Sequence, residues 1–336
     1  MVALTVCFLL VVAVPGENAQ DSCRLATDAM SRGDSAAAES LLRECIKVQP
    51  GIITPYIQLC ALYQSRGREI DLYRTALDGL GKFPGEKRFY LTVALHDTRN
   101  RRYESAIKVL AEGLRRWPGD SRLRDSLGVA YLEMGLGQLD AGKDLEAEKS
   151  LRKATQMNPD DVEARLNLGR ALHNLRRSRE AIAEFDRVLQ LKPDLPLAHF
   201  HRGMVLCNLG EFKPAIVDLD KEIQMNPGYP PSYLFRGVAR MGLEEWPGAL
   251  PDLETAVLRM PDNFKAHYSL GRCLSRLGRT ADAEAEYRKA MELDPSDAST
   301  VMALARLLQQ AGKSAEAGVL FKRAGELMDL HRVPAK

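Results

Sequence analysis

"MNPDDVEARLNLGRAL", residues 157–172, joins the end of one helix to the start of the next with no loop between them. Pro159 has no amide hydrogen and its ring clashes with the turn before it, so a helix arriving from Ala147 must stop here. Asp160 is placed to accept hydrogen bonds from the free amides of a new helix, and Glu163 follows three residues on, as a capping box requires. Val162, Leu166, Leu168, Gly169 and Leu172 then recur at helical spacing. The stretch predicts a chain that reverses sharply between two helices.

Close copies return as "LKPDLPLAHFHRGMVL", "MNPGYPPSYLFRGVAR" and "RMPDNFKAHYSLGRCL". Prolines stand at Pro50, Pro84, Pro118, Pro159, Pro193, Pro227, Pro261 and Pro295, so the interval is 34 residues except for one of 41. A fixed period of this length predicts stacked repeats. Twenty-four residues before each proline the side chain is small: Ala26, Cys60, Ala94, Gly169, Gly203, Gly237 and Gly271, with Gly128 in the longer copy and Ala305 in a last copy that lacks the proline. Twelve before it stand Ala38, Ala106, Ala147, Ala181, Ala215, Ala249, Ala283 and Ala317, with Leu72 the exception. Small residues at both places let two antiparallel helices approach closely. Eight before it the residue is large, as at Leu42, Leu110, Leu151, Phe185, Leu219, Leu253, Tyr287 and Phe321. These are expected to fill the gap between hairpins.

This pattern resembles the tetratricopeptide repeat, W-x2-L-G-x2-Y, then A-x3-F, then P. The resemblance covers nine copies, residues 19–52, 53–86, 87–120, 121–161, 162–195, 196–229, 230–263, 264–297 and 298–331. Tyr56, Tyr90, Tyr233, His199 and His267 stand where the leading Trp would be, 53–86 is the weakest copy, and Pro251 falls inside a predicted helix. The resemblance implies an all-α fold: a right-handed superhelical solenoid of stacked helix-turn-helix hairpins, with eighteen helices in one array over 19–331 and no domain boundary. It also implies a protein-protein interaction scaffold that binds a peptide or helix in a concave groove lined by the first helix of each hairpin. The chaperone-binding members use a clamp of Lys, Asn and Arg; Leu166 and Arg170 occupy two of those places here, which disfavours that partner.

The copy at 121–161 holds seven extra residues around "GLGQLDAGKD", expected to lengthen the turn between its helices. Gly137, Gly142 and Lys143 fit G-x-x-x-x-G-K, but Asp144 stands where a magnesium-binding hydroxyl is needed, and a helix precedes where a strand is required. His173, His199 and His201 suit structural places better than metal ligation, since His199 takes an aromatic core position. No HExxH or G-x-S-x-G occurs, and the repeats leave no room for a catalytic domain. We therefore expect no enzyme activity, no cofactor and no metal.

At 336 residues, 45% apolar and 27% charged, the composition is that of a globular chain. A formal charge of +2 gives no global attraction to nucleic acid or anionic lipid, which disfavours an RNA-binding helical array. "MVALTVCFLLVVAVPG" is uncharged, too short to span a bilayer, and matches the core of a secretory signal, although it lacks a basic start. Residues 1–16 are thus expected to be a signal peptide, placing the chain in the periplasm or outside the cell; the alternative is an N-terminal membrane anchor. An accessory subunit of a cell-envelope or secretion assembly is the same binding chemistry given a location. Without Cys7, five cysteines remain, none within four residues of another, so zinc knuckles and CxxC motifs are absent. Cys23–Cys45 and Cys45–Cys60 are competing disulfides, and unpaired buried thiols are a third reading.

The groove is expected from the residues three before, one after and four after each small contact residue on a first helix. In two successive copies these are Phe200, Met204, Cys207, Leu234, Val238 and Met241, an apolar patch. Asn167, Arg170, His173 and Asn174 flank it on one side, and Lys265, Tyr268, Arg272, Arg276 and Arg306 on the other. The expected ligand is a protein segment, apolar with acidic flanks.

Overall fold

The computed structural model describes residues 17–330, so the leader expected at 1–16 lies outside the described residues. Those residues form eighteen helices. They pair as α1 (Glu17–Ser31) with α2 (Ser35–Val48), α3 (Ile53–Ser65) with α4 (Glu69–Lys82), α5 (Lys87–Arg99) with α6 (Tyr103–Arg116), α7 (Ser121–Asp140) with α8 (Asp144–Met157) and α9 (Val162–Asn174) with α10 (Ser178–Leu191). The series continues with α11 (Ala198–Asn208) and α12 (Phe212–Met225), α13 (Pro230–Gly242) and α14 (Trp246–Arg259), α15 (Phe264–Arg276) and α16 (Thr280–Leu293), and α17 (Ala298–Gln310) and α18 (Ser314–Leu330). The fold is an all-α repeat of helix hairpins.

Each hairpin turns on one residue in the left-handed region: Gly33, Gly67, Arg101, Gly142, Arg176, Gly210, Glu244, Gly278 and Gly312, with φ between 57° and 79°. The next amide closes a long bond back into the first helix, as from Arg177 to the Leu172 carbonyl at 2.8 Å and from Arg279 to Leu274 at 3.0 Å. This is the helix-ending geometry that glycine favours. Between hairpins the proline carbonyl accepts a bond from the ring six residues on. Tyr90 and Tyr233 donate their hydroxyls to Pro84 and Pro227 at 3.2 Å, while His199 and His267 place Nε2 at 3.1 and 2.9 Å from Pro193 and Pro261. Histidine can stand where tyrosine does because either ring presents a donor at this reach.

The small residues act as expected. A Cβ on Gly169 would lie 2.6 Å from the Phe185 ring, and one on Gly237 would lie 2.7 Å from Leu253. The large residues therefore close on the glycine of their own hairpin, as well as filling space between hairpins. Phe185, Leu219 and Leu253 are fully buried.

Two local expectations are corrected. The helix after Pro159 is capped by Asp161, which accepts from the amides of Glu163 and Ala164 at 3.0 Å; Asp160 instead meets Arg187 at 3.0 Å. The seven extra residues do not lengthen a turn. They extend α7 to 20 residues, and the reversal at Ala141–Lys143 keeps its left-handed Gly142. Seven residues are close to two helical turns, so the added length leaves the buried face in register. Gly137 lies inside that helix, where it cannot cradle a phosphate. Pro251 falls inside a helix as the sequence predicts, within a continuous α14.

Packing separates two compact units inside this longer copy. The first ends at Ala141 and takes back Lys149–Pro159; the second comprises Gly142–Glu148 and runs on from Asp160. In the second unit, each first helix also touches the next first helix, α9 with α11, α11 with α13, α13 with α15 and α15 with α17. Its stack therefore curves toward the face made by first helices.

Candidate functional site

The first-helix face of the second unit carries every residue expected at the groove, and the structure sorts them into three kinds. Four of the six apolar residues are core: Phe200, Cys207, Leu234 and Met241 are 5%, 7%, 6% and 2% exposed. Phe200 lies edge-on to Tyr229 and Phe235, with ring centroids 5.0 and 5.7 Å away. Cys207 donates its thiol to the Phe235 carbonyl at 3.6 Å, and burial pushes that thiol up to about 12. The expectation of six exposed apolar side chains is corrected accordingly. Around Gly203 and Gly237 the residues three before and four after the glycine are buried, Phe200 and Cys207 under Tyr229 and Phe235 of the next repeat. Only Met204 and Val238, one after it, are half-buried at the surface.

Phe235, Tyr268 and Met302 are also half-buried on this face and complete an apolar floor with Met204 and Val238. Sequence reasoning missed Phe235 because its place, two before the glycine, was outside the rule applied.

The polar residues divide between structure and surface. Asn167 is buried, donates to the Glu163 carbonyl at 2.9 Å and accepts from Arg170 at 2.7 Å. Asn174 donates to Asp144 at 2.8 Å. His173 is half-buried, and burial holds its imidazole below the usual range. His201 beside it is pushed down to about 4, first by burial and then by the nearby positive charge of Arg170 and by His173. The Nδ1 atoms of both imidazoles are enclosed with no hydrogen-bond partner among the described residues. His173, Asn174, Arg176, Ser178 and Asn208 line a cleft of about 420 Å³ at this end of the face.

At the other end, Lys265, Arg272, Arg276 and Arg306 are exposed and form no ion pair among the described residues. Arg276 lies over the Trp246 ring at 5.6 Å and Lys265 over Phe264 at 5.8 Å. Burial pushes the Tyr287 phenol up, and Arg272 and Arg276 oppose that shift from nearby. The two guanidinium groups thus share one neighbourhood.

Arg202, Arg236 and Arg240 also start on first helices but turn sideways. Arg202 meets Asp218 and Asp186 at 2.6 Å, Arg236 meets Asp252 and Asp220 at 2.6 Å, and Arg240 reaches Asp252 at 2.8 Å. Asp218 and Asp252 are buried. These are ladder contacts that tie hairpins together.

Helix α11 starts late, after Leu197 in the left-handed region, and its amides are capped from a neighbouring helix. Glu222, fully buried, accepts from the Leu197 amide at 3.1 and 3.2 Å. The first unit shows a different first-helix surface. Leu95 and Val129 are 53% and 48% exposed, and Ala61 is exposed at the same register. The row one after the small contact residue would have revealed them.

Among the described residues no group of three or more His, Cys, Asp or Glu is placed to hold a metal, and no helix is long and apolar enough to cross a membrane. A family model described as tetratricopeptide repeat matches residues 132–196 and 236–298. No curated protein matches the chain. The solved structure of MamA, residue 41 to its end, from Desulfovibrio magneticus RS-1 is 28% identical, spans 51% of this chain and 96% of its own, and superposes with a TM-score of 0.46. The pilF product of Pseudomonas aeruginosa is 18% identical over 61% of this chain and 93% of its own, with a TM-score of 0.53, a likeness of fold. TTC0263 of Thermus thermophilus is 23% identical over 54% and 99%, with a TM-score of 0.45.

Proposed function

We propose that this tetratricopeptide-repeat protein is a non-catalytic scaffold of an oxidising compartment, holding a protein segment against the first-helix face of its second unit. The observation that carries the reading is the pairing, on that face, of a half-buried apolar floor with cations that no carboxylate of the described chain neutralises. Apolar side chains at such a floor offer contact area, and methionines adapt to the shape of a ligand.

The disulfide supports the location. Cys23 and Cys45 are bonded across the first hairpin with Cα atoms 5.1 Å apart, while Cys60, Cys207 and Cys273 are free. Such bonds persist in exported proteins and are rare in a reducing cytosol. It favours export with a leader at residues 1–16. An N-terminal anchor, or a place in an envelope or secretion assembly, would use the same binding face.

One experiment tests both halves. A photo-crosslinking residue replaces Val238 or, as a control, the exposed Leu258 on a second helix, and the chain is recovered from its native host with its free thiols alkylated. Val238 is expected to capture a defined protein that Leu258 does not, and the chain should carry three alkylated cysteines. Equal capture from both positions would refute the docking face, and five or more alkylated cysteines would refute the oxidising compartment.

A further inference from the structure

Resting on the docking face just proposed, we infer that the segment it holds is acidic, and that Arg272, Arg276, Arg306 and Lys265 recognise it. The argument is one of sorted charge. Helices α11, α13, α15 and α17 contain no Asp or Glu, whereas every second helix from α10 to α18 contains acidic residues. An imbalance of this kind has two possible sinks, neutralisation inside the fold or an outside partner. Arg202, Arg236 and Arg240 use the first, through Asp186, Asp218, Asp220 and Asp252.

Arg272 and Arg306 cannot. Each follows its small contact residue by one position, Gly271 and Ala305, stands exposed on the first-helix face, and forms no ion pair with a carboxylate among the described residues. Arg276 and Lys265 lie on the same exposed side of α15. Cations gathered on one surface without counter-charges create a positive potential that steers and selects an anionic ligand. Guanidinium groups also bind carboxylates with two parallel hydrogen bonds, which a lysine cannot do.

The floor beside these cations favours an acidic protein segment over a nucleic acid. Met204, Val238 and Met302 carry no ring, and the two rings of the floor, Phe235 and Tyr268, are half-buried against Phe200 and Tyr287 with centroids 5.7 and 6.0 Å apart, whereas single-stranded nucleic acids are held by stacking of bases on open aromatic faces. An acidic segment with apolar side chains between its carboxylates fits both the floor and the rim.

The test uses the chain with its disulfide intact and three labelled probes: a peptide of Glu and Leu, the same peptide with Lys for Glu, and a single-stranded oligonucleotide. Fluorescence anisotropy is expected to show binding of the Glu-Leu peptide that weakens as salt rises, with the Lys peptide weaker by roughly tenfold or more. R272E/R306E should lose roughly tenfold for the Glu-Leu peptide, and R272K/R306K should lose less, with circular dichroism unchanged in both. Preference for the Lys peptide, equal or tighter binding of the oligonucleotide, or an unchanged R272E/R306E would overturn the inference. If Val238 captures its protein but the Glu-Leu peptide does not bind, the acidic ligand fails and the docking face stands. If neither occurs, both fail.

Discussion

Replacing Arg202 by methionine is expected to destabilise the second unit by about 3 kcal/mol, because it strands the buried carboxylate of Asp218. Arg202 donates to both Asp218 oxygens, from Nη2 at 2.6 Å and from Nε at 2.7 Å, and it also reaches Asp186 on the preceding hairpin. After the change only the His199 Nδ1 contact at 2.8 Å would remain on Asp218. Methionine keeps most of the volume, so the loss isolates charge rather than packing. The compensating variant R202M/D218L should recover most of the stability, since an apolar replacement of a whole buried pair is often close to neutral. Urea unfolding measures both, and amide exchange in α11 and α12 localises the effect. A loss below about 1 kcal/mol in R202M would place this pair among ordinary surface salt bridges.

The second large effect is a loss of stability in mild acid. His201 packs against Phe185, with ring centroids 5.8 Å apart and planes within 14°. Arg170 and His173 on α9 are the charged and titratable groups that face it. Its pKa is pushed down to about 4 from the ordinary 6.5, so between those values the unfolded chain takes up a proton that the folded chain refuses. Stability is therefore full above pH 6.5 and falls as pH drops toward about 4. A shift of that size is worth about 3 kcal/mol once complete. His173, lowered in the same direction by burial, adds to the loss in the same sense. His201→Phe should flatten the stability profile across this window while leaving the region below it, where carboxylates titrate, as steep as before. An unchanged slope in that variant would assign the acid sensitivity to other groups.

Much of the fold was legible because its determinants are local. A proline that stops a helix, a small residue that admits a neighbour and a large one that fills the space each act within one hairpin, and the 34-residue spacing repeats that logic. The extension at 121–161 was misread for a related reason. Gly135, Gly137, Asp140 and Gly142 look like a turn, yet two added helical turns preserve the buried face of α7, so packing outweighed composition. The left-handed turn residue was visible in the six glycines but obscured where Arg101, Arg176 and Glu244 take the same place.

The candidate site was less legible because exposure depends on neighbouring helices. Phe200 and Phe235 cannot be separated into core and surface without knowing that Tyr229 and Phe235 close over Phe200. The arginines posed the same difficulty. Arg236 finds Asp252 sixteen residues away on the next helix, and Arg272 finds no carboxylate, although each lies within one residue of a glycine in the same repeat pattern.

The most direct test of the scaffold is amide exchange of the chain with and without the protein that Val238 captures. Binding to the first-helix face predicts slowed exchange in α11, α13, α15 and α17, strongest around Val238, Tyr268 and Arg272, with α12, α14 and α16 little changed. Slowing concentrated in the second helices, or confined to the first unit around Leu95 and Val129, would contradict it.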